Sequence, residues 1–194
     1  LDESFFALFE DPRLMPHLHL PLQSGSDRVL RRMARRCWRD DFLCLAGQAA
    51  AAIPDLNLGT DLIVGFPGET EADWRQTLET VEAGGFGQLH ICPFSPRTGT
   101  RAAELPDQVD AGTRRRRLQE LHALGRRLQR RMLERQCGRI RPVLREGSGW
   151  GYTPNYLRVA LPDLPGDAPA IRPVRLTGVD PGGEFLHAEP LADR

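Results

Sequence analysis

The chain contains 194 residues, of which 40% are hydrophobic, so it is long enough to bury the core of one domain and of a small second one. Its 26 basic and 26 acidic residues balance to a net charge of zero, and every basic residue is Arg. No apolar run approaches the roughly 20 residues that a membrane-spanning helix needs, and the four cysteines form no CxxC pair and fit no zinc pattern. The sequence therefore predicts a cytoplasmic protein without a membrane span, a zinc module or a disulfide framework.

The balanced total conceals an uneven distribution of charge. Residues 110–145 carry 12 Arg against 3 acidic residues, a net of +9. Residues 1–109 carry 10 Arg against 16 acidic residues (net −6), and residues 146–194 carry 4 against 7 (net −3). Concentrated positive charge indicates a polyanionic partner, and a solvated helix face is the open alternative.

Strands and helices alternate over the first hundred residues. Apolar spacing, caps and turns predict, in chain order, a helix over 3–10, a strand over 17–22, helices over 27–36 and 40–53, a strand over 56–64, a helix over 70–83 and a strand over 86–94. This α/β alternation is typical of a parallel sheet with crossover helices, as in an α/β barrel. Because three parallel strands alone leave an unpaired edge and an uncovered face, we expect an incomplete sheet, the C-terminal part of a partial (β/α) barrel.

A long basic helix separates this region from a segment of different composition. The apolar residues of 110–136 recur at helical spacing and predict one helix with a narrow apolar stripe. Farther along, Gly, Pro and Asp separate four short apolar runs, at 140–144, 156–161, 171–179 and 185–188. Such runs are typical of a small all-β domain. The sequence thus predicts two domains, 1–136 and 137–194.

Polar residues and glycines follow each of the three predicted strands. Because the C-terminal ends of parallel strands meet at one edge of a sheet, where α/β barrels place their chemistry, these residues predict a common ligand-binding rim. The alternatives are a plain helix N-cap after the first strand, a tight βα turn after the second and a solvated loop after the third. The candidate ligand-binding residues are Gln23, Ser24, Asp61, Gly65, Pro67, Gly68, Glu69, Ser95, Arg97, Gly99 and Thr100.

Some of these positions carry a more specific argument. Asp61 is an acid within an otherwise apolar strand, and a buried acid is costly unless it is paired or hydrogen-bonded. Gly65 and Gly68 permit an unusual φ or the close approach of a ligand. Arg97 is able to bind a carboxylate or a phosphate through two parallel hydrogen bonds.

Arginines and aromatic residues of the second half predict a surface that binds nucleic acid. Four arginines of the long helix cluster at helical spacing, as sequence-independent contacts to phosphate require: Arg126, Arg127, Arg130 and Arg131. In the β segment, aromatic residues suit base stacking, and core packing of Trp150 and Tyr156 is the alternative. The candidate RNA-binding residues of that segment are Arg139, Arg145, Tyr152, Asn155 and Tyr156.

Three motifs resemble, in order and spacing, those of the radical-SAM methylthiotransferase family. They are HLHLPLQSGSDRVLRRMAR at 17–35, TDLIVGFPGET at 60–70 and FSPRTGTRAA at 94–103. The segment from about residue 134 is similar to the TRAM domain of that family, an RNA-binding β-barrel. The HLHL sequence and GYTPNY at 151–156 favour the MtaB branch, which modifies threonylcarbamoyladenosine next to the tRNA anticodon.

The resemblance implies a tRNA methylthiotransferase that uses two 4Fe–4S clusters and S-adenosylmethionine. One cluster, on a CxxxCxxC loop, cleaves S-adenosylmethionine to a 5′-deoxyadenosyl radical, and a second S-adenosylmethionine provides the methyl group. The protein positions and shields this chemistry. The resemblance also implies that the strand-end candidates bind S-adenosylmethionine, with Arg97 or an Arg of 31–36 paired with its carboxylate. It assigns no catalytic residue.

The sequence departs from this family at its cysteines. It contains no CxxxCxxC loop, and Cys37, Cys44, Cys92 and Cys137 match no cluster motif. We therefore expect the C-terminal part of such an enzyme, with cluster ligands in a missing N-terminal half and no radical activity of the chain alone. Cys44 and Cys92, which have apolar neighbours, are expected in the core. A MiaB-like enzyme acting on isopentenyladenosine and a non-catalytic RNA-binding protein are the alternatives.

Overall fold

Three parallel strands, with helices packed on one of their faces, form the first half of the molecule. The computed structural model describes residues 2–147, 149–162 and 170–191. The strands pair in the order β1-β2-β3, all parallel, as the alternating pattern predicts. The elements of this half are α1 (Glu3–Ala7), a 3₁₀ turn (Leu8–Glu10), β1 (His17–His19), α2 (Asp27–Arg32), α3 (Arg39–Ala52), β2 (Asn57–Val64), α4 (Glu71–Ala83), β3 (Gln88–Pro93), a second 3₁₀ turn (Arg101–Glu104) and α5 (Ala111–Glu134).

The sheet has one covered face and one open face. Side chains alternate along a strand, and Leu58, Leu62 and Val64 of β2 lie in a core with residues of α3, α4 and α5. Asp61 and Ile63 of the same strand lie on the opposite face and are only partly buried. This open face is the one that a completed barrel turns toward its interior.

The strand β1 and the helix α2 are shorter than the sequence predicts. β1 ends at His19 rather than at residue 22, because Pro21 has no N–H to donate to a neighbouring strand. Pairing with β2 resumes at Gln23, opposite Leu62. α2 ends at Arg32 rather than at residue 36, and Ala34 beyond it adopts a left-handed conformation (φ 57°) that no helix continues.

Helix starts follow the predicted caps in part. Thr70 begins α4 with the predicted capping box, in which its side chain and that of Asp73 each bond the other's backbone N–H. Ser26 occupies the N-cap position of α2 as predicted, but its hydroxyl makes no capping bond. α3 begins at Arg39, slightly before the predicted Asp caps, because the carboxylate of Asp27 accepts from the Arg39 N–H (2.7 Å).

The second half of the described chain is a closed barrel of five short strands. They are connected in the order β4-β5-β6-β8-β7, around a core that includes Val143, Val159 and Leu176. The strand β5 is absent from the sequence prediction because Trp-Gly-Tyr is too short to show alternation. Of the predicted β domain, residues 148, 163–169 and 192–194 lie outside the described residues. The strands are β4 (Ile140–Arg145), β5 (Trp150–Tyr152), β6 (Arg158–Ala160), β7 (Ile171–Val179) and β8 (Leu186–Pro190).

All four cysteines carry free thiols. Cys44 is exposed and Cys92 is only partly buried, so the prediction that both lie in the core is wrong. Apolar neighbours in sequence do not bury a residue whose own side chain lies on the outer side of α3 or on the open face of the sheet. In the part of the chain that the structure describes, no helix has the length and apolar character to cross a membrane.

Asp55 joins the sheet region to the barrel. Its carboxylate pairs with Arg139 (2.5 Å) and with Arg141 of β4. Its carbonyl accepts a hydrogen bond from the Asn155 side chain (3.0 Å), and the Asn57 side chain donates to the carbonyl of Asn155 (2.9 Å). The barrel therefore contacts the edge of the sheet where β2 begins, through ion pairs and buried hydrogen bonds.

Gly25 makes the closest contact between the segment after β1 and helix α4. A Cβ at this position would lie 2.6 Å from Cα of Thr77 and 2.7 Å from Cβ of Thr80. The Gly25 N–H donates to Oγ1 of Thr77 (3.1 Å), and its carbonyl accepts from Oγ1 of Thr80 (3.2 Å). Only a residue without a side chain fits between these two threonines.

Gly25→Ala is expected to lower the free energy of unfolding by about 1–3 kcal/mol, because the added methyl group overlaps the backbone of α4. Urea denaturation followed by circular dichroism measures the change. Gly47→Ala in α3 is the control, since nothing lies within 4 Å of a Cβ at that position, and it is expected to stabilise the helix by up to about 1 kcal/mol. Equal stability of Gly25→Ala and the wild type would contradict this packing.

Candidate active site at the strand ends

A cavity of about 470 Å³ opens at the edge where β2 and β3 end, and we call it the strand-end cavity. Its volume lies within the range of pockets that hold small molecules. Both apolar residues and arginines line it. Its lining residues are Gln23, Arg31, Arg32, Met33, Ala34, Arg35, Ile63, Phe66, Arg101, Ala102 and Leu105.

Gln23 enters the cavity through an unusual backbone conformation. Its φ of 74° lies in the left-handed region, which is costly for a residue with a side chain. The surroundings hold it there, because its N–H donates to the carbonyl of Asp61 (2.8 Å) and its carbonyl accepts from the Ile63 N–H (2.9 Å). Gln23 thus extends β1 by one paired residue and turns its side chain toward the cavity.

The turn after β2 is shaped by two glycines and covered by Arg32. Gly65 and Gly68 have φ of 78° and 80°, which glycine adopts without strain. A Cβ on Gly68 would lie 2.6 Å from Cζ of Arg32, so the guanidinium group rests on the turn. Nε of Arg32 donates to the carbonyl of Pro67 (2.9 Å). Arg32 therefore connects α2 to the turn and borders the cavity.

The guanidinium groups around the cavity have spare hydrogen-bonding capacity. Nη2 of Arg32 is buried and has no hydrogen-bond partner, which is rare for a buried donor. Arg35 and Arg101 have no acidic partner among the residues that the structure describes. Guanidinium groups bind carboxylates through paired hydrogen bonds. The cavity therefore fits a small ligand that carries a carboxylate.

The predicted strand-end residues are only partly brought together at this cavity. Gln23 lines it, and Gly65, Pro67 and Gly68 form the turn that carries Phe66 into it. Four of the predicted residues lie in an exposed loop outside the lining: Ser95, Arg97, Gly99 and Thr100. The 3₁₀ turn that follows this loop supplies Arg101 instead. The sequence analysis missed Arg101, although it belongs to the same motif.

Ser24 and Glu69 are used in internal contacts rather than at the cavity. The Ser24 hydroxyl is buried, with Oγ 3.4 Å from Oγ1 of Thr77. The Glu69 carboxylate accepts from the Gly65 N–H (2.9 Å) and from Arg117 (2.8 Å). The side chains of Glu69 and Arg117 are 0% and 3% exposed, so this ion pair fixes α5 against the turn, and breaking it would leave a buried charge.

Asp61 lies on the open face and is bonded to a histidine on each neighbouring strand. Its Oδ1 is 3.0 Å from Nε2 of His19 and 2.9 Å from Nδ1 of His90. Burial acts to raise the pKa of Asp61, but the hydrogen bonds from the two imidazoles outweigh it and hold that pKa below its ordinary value. The sequence analysis missed this cluster, because only the register of three strands brings its members together.

Acidic residues neutralise most of the predicted phosphate-binding arginines of α5. Glu82 of α4 pairs with Arg127 and with Arg131 (2.7 Å to the latter). Arg130 pairs with an acid one turn farther along its own helix (3.0 Å). Only Arg126 of the four lacks an acidic partner within the described ranges. Acidic residues of the protein itself therefore compensate much of the positive charge of α5.

Some of the candidate RNA-binding residues of the barrel are exposed, and others hold the protein together. The rings of Tyr152 and Tyr156 lie 6.2 Å apart, and Tyr156 is 61% exposed. Asn155 is buried and, like Arg139, bonds to Asp55 as described above. Arg145 lies at the end of β4, beside Gly151 of β5. The tyrosines are thus available to a partner, whereas the Asn155 side chain is committed to the protein.

Asp73 of α4 fixes the segment that precedes α2. Its carboxylate accepts from Oγ of Ser26 (2.6 Å), from Nε of Arg28 (3.1 Å) and from the Thr70 N–H (2.8 Å). Burial acts to raise the pKa of Asp73, but the hydrogen bonds from Arg28, Ser26 and Thr70 outweigh it and hold that pKa well below its ordinary value. Asp73 is thus ionised and stabilising at neutral pH.

The described residues do not fit an iron–sulfur cluster. No group of three or more His, Cys, Asp or Glu side chains among them is arranged to hold a metal ion. The free cysteines belong to four different parts of the chain, the segment after α2, α3, β3 and the segment after α5. A 4Fe–4S cluster requires several thiolates that converge on one point.

Residues 1–81 of the chain match the Radical SAM superfamily. A solved structure has a similar fold: coproporphyrinogen III oxidase (HemN) from Escherichia coli, a radical SAM enzyme, aligns with a TM-score of 0.52 over 63% of this chain and 30% of its own. Because the two sequences are only 20% identical, this likeness concerns the fold alone. Residues 1–81 are thus similar in sequence to radical-SAM proteins, and the chain is similar to one of them in fold.

Curated relatives narrow this class. The threonylcarbamoyladenosine tRNA methylthiotransferase MtaB of Thermotoga maritima is 43% identical over 162 residues, 81% of this chain and 37% of that protein. The tRNA-2-methylthio-N(6)-dimethylallyladenosine synthase 1 of Mycobacterium marinum is 45% identical over 127 residues, 66% of this chain and 24% of that protein. These matches confirm the resemblance to the radical-SAM methylthiotransferase family. The chain spans 24% to 37% of the length of these two relatives.

Asp73→Asn is expected to lower the free energy of unfolding by about 1–3 kcal/mol at pH 7, because an amide cannot replace the charged acceptor. A depressed pKa stabilises the fold above the ordinary value of 3.8, and this stabilisation is lost as the pH falls below it. The difference between wild type and variant should therefore shrink in acid. Denaturant titrations from pH 7 down to pH 3 measure it, with the exposed Glu79→Gln of the same helix as the control. A difference that does not change with pH would contradict the assignment.

Proposed function

We propose that this chain is part of a tRNA methylthiotransferase of the radical-SAM type and acts in the cytoplasm. In this proposal, residues 1–136 belong to the radical-SAM core, and residues 137–194 form a TRAM-like RNA-binding domain. The observation that carries the proposal is the strand-end cavity, which is rich in arginine and opens at the edge of the sheet where α/β barrels bind their ligands. The names of the curated relatives support the reaction.

S-adenosylmethionine is the ligand that we propose for the strand-end cavity. Its carboxylate would pair with Arg35, Arg101 and the free Nη2 of Arg32. Its adenine would lie against Ile63 and Phe66, which belong to the apolar part of the lining. When bound, S-adenosylmethionine would supply the radical that starts the reaction, with the electron coming from a cluster held outside these residues, and a second S-adenosylmethionine would supply the methyl group of the product.

The residues of this chain would orient and shield this ligand. Arg32 holds the turn after β2 against α2 through its bond to Pro67, so that its own free Nη2 has a fixed position for the carboxylate. Phe66 and Phe94 meet edge to face with their centroids 5.2 Å apart, which keeps water from the apolar side. Asp61 orients His19 and His90 on the open face, where the substrate base would enter.

We propose that the cluster ligands lie outside these 194 residues, because the described cysteines do not converge. The relatives are longer than the chain, and their remaining length is the place to seek those ligands.

Threonylcarbamoyladenosine is the proposed substrate base, as the HLHL and GYTPNY motifs favour, and isopentenyladenosine is the second candidate. The relatives include enzymes named for each base. Deleting the gene that encodes the chain and analysing the tRNA nucleosides by mass spectrometry tests both. Loss of the methylthio group from threonylcarbamoyladenosine alone supports the first candidate, and loss from the isopentenyl nucleoside alone supports the second. Unchanged tRNA would favour a non-catalytic RNA-binding protein.

Arg101→Ala is expected to weaken the binding of S-adenosylmethionine by about tenfold or more, because a charge-assisted hydrogen bond is worth roughly 1.5–3 kcal/mol. Equilibrium dialysis with labelled S-adenosylmethionine measures the affinity. Arg36→Ala is the matched control, since Arg36 is exposed and does not line the cavity. The affinity of Arg97→Ala for S-adenosylmethionine, compared with that of Arg36→Ala, tests whether the exposed loop contributes to binding. Unchanged affinity in Arg101→Ala would exclude Arg101 as the carboxylate partner.

A further inference from the structure

A second cavity, of about 360 Å³, lies between α5, the strand β3 and the barrel, and we call it the edge cleft. Its polar and aromatic lining includes His122, Arg126, Gln129, Tyr152, Tyr156 and Arg158. It shares no lining residue with the strand-end cavity. Among the described strands, β3 pairs only with β2, so the edge cleft lies along an open edge of the sheet.

The charges in the edge cleft differ from those on the rest of α5. Arg126 and Arg158 have no acidic partner within the described residues, whereas the paired arginines of α5 nearby are Arg127, Arg130 and Arg131. Glu184 is the one acid in the lining. The guanidinium of Arg158 stacks on Trp150, 3.8 Å from the ring centroid, which holds it in place. The edge cleft therefore offers an anion two guanidinium groups that have no ion-pair partner among the described residues.

Aromatic rings form the barrel side of the edge cleft. Tyr152 is partly buried and supports Tyr156, which is 61% exposed. Tyr156 has a φ of 60°, a costly conformation for a tyrosine. The ring of His17 contacts it from the sheet side, with centroids 5.1 Å apart. An exposed ring that is held from two sides is a platform on which a planar group can stack.

A glycine brings α5 close to the sheet beside the edge cleft. Gly125 precedes Arg126, and a Cβ on it would lie 3.2 Å from Cδ1 of Leu89 on β3. Glycine within a helix costs about 1 kcal/mol relative to alanine. The close approach that it permits places Arg126 beside β3, within reach of the tyrosines that line the same cavity.

We propose that the edge cleft binds one unpaired nucleotide of the RNA substrate, with its phosphate at Arg126 and Arg158 and its base on Tyr156. This proposal rests on the proposed function, which supplies the RNA. A cavity of this size with cationic and aromatic walls suits a nucleotide. The nucleotide must be unpaired, because a base within a duplex offers no free face to a side chain.

The bound nucleotide would flank the target base rather than be the target. β2 extends from Asn57, which lines the edge cleft and bonds to the residue before Tyr156, to Ile63, which lines the strand-end cavity. Six residues of a strand span roughly 20 Å. A nucleotide in the edge cleft therefore lies too far from the strand-end cavity to react there, and it would set the register of the RNA instead.

Fluorescence anisotropy with a labelled RNA hairpin that carries a single-stranded loop tests this proposal. Arg126→Ala is expected to weaken binding about fivefold or more and to reduce the salt dependence by about one counterion. Tyr156→Asn removes the ring but tolerates the left-handed backbone, and it is expected to weaken binding about tenfold. Arg115→Ala is the control, because Arg115 is exposed, has no acidic partner in the described ranges, and lies 11 positions or about 16 Å along α5.

A fully paired RNA duplex of the same length is the second probe. If the edge cleft takes an unpaired nucleotide, Tyr156→Asn should change duplex binding less than twofold. The edge-cleft proposal alone is overturned if the wild type binds the hairpin but Arg126→Ala and Arg115→Ala lose equal affinity for it. It is also overturned if the wild type binds the hairpin and Tyr156→Asn loses no affinity. Failure of the wild type to bind the hairpin would overturn the RNA-binding part of the proposed function as well. Circular dichroism of each variant confirms that it is folded.

Discussion

The contact of the segment at residues 23–26 with α4 is the constraint on which the rest of the site depends. Gly25 fits between two threonines with no space for a side chain, and Asp73 holds Ser26 and Arg28 from the same helix. These contacts set the position of α2, and α2 carries Arg31 and Arg32 of the strand-end cavity. Ser24, whose hydroxyl lies near that of Thr77, belongs to this buried contact and does not line the cavity.

Opposite charges that are far apart in the sequence lie next to each other in the fold. The acidic first half and the basic helix largely neutralise each other, because α4 and α5 pack side by side and exchange ion pairs through Glu82 and Glu71. Exposed ion pairs of this kind contribute little stability each, and their main effect is to cancel charge. What remains for a polyanion is a small number of unpaired arginines. Arg126 is the one that faces the aromatic residues of the barrel.

The sequence predicts most of the elements, because periodicity, caps and turns are local properties of the chain. The capping box at Thr70 and the strand leading to Gly65 illustrate this. The site is less predictable, since it depends on register between strands far apart in sequence. The pairing of Asp61 with His19 and His90 and the burial of Glu69 against Arg117 come from tertiary packing alone. Local motifs identify the rim, but they do not show which side chains point into it.

The connection through Asp55 bears on how the two halves would work together. Its carboxylate holds two arginines of the barrel, while its carbonyl and Asn57 complete a hydrogen-bonded link to the loop that carries Tyr156. Several bonds to two segments oppose both sliding and rotation of the barrel on the sheet. The distance between the edge cleft and the strand-end cavity is then fixed by the fold rather than by a flexible linker. A fixed separation is what a modifying enzyme needs in order to select one base of an RNA by its position relative to another.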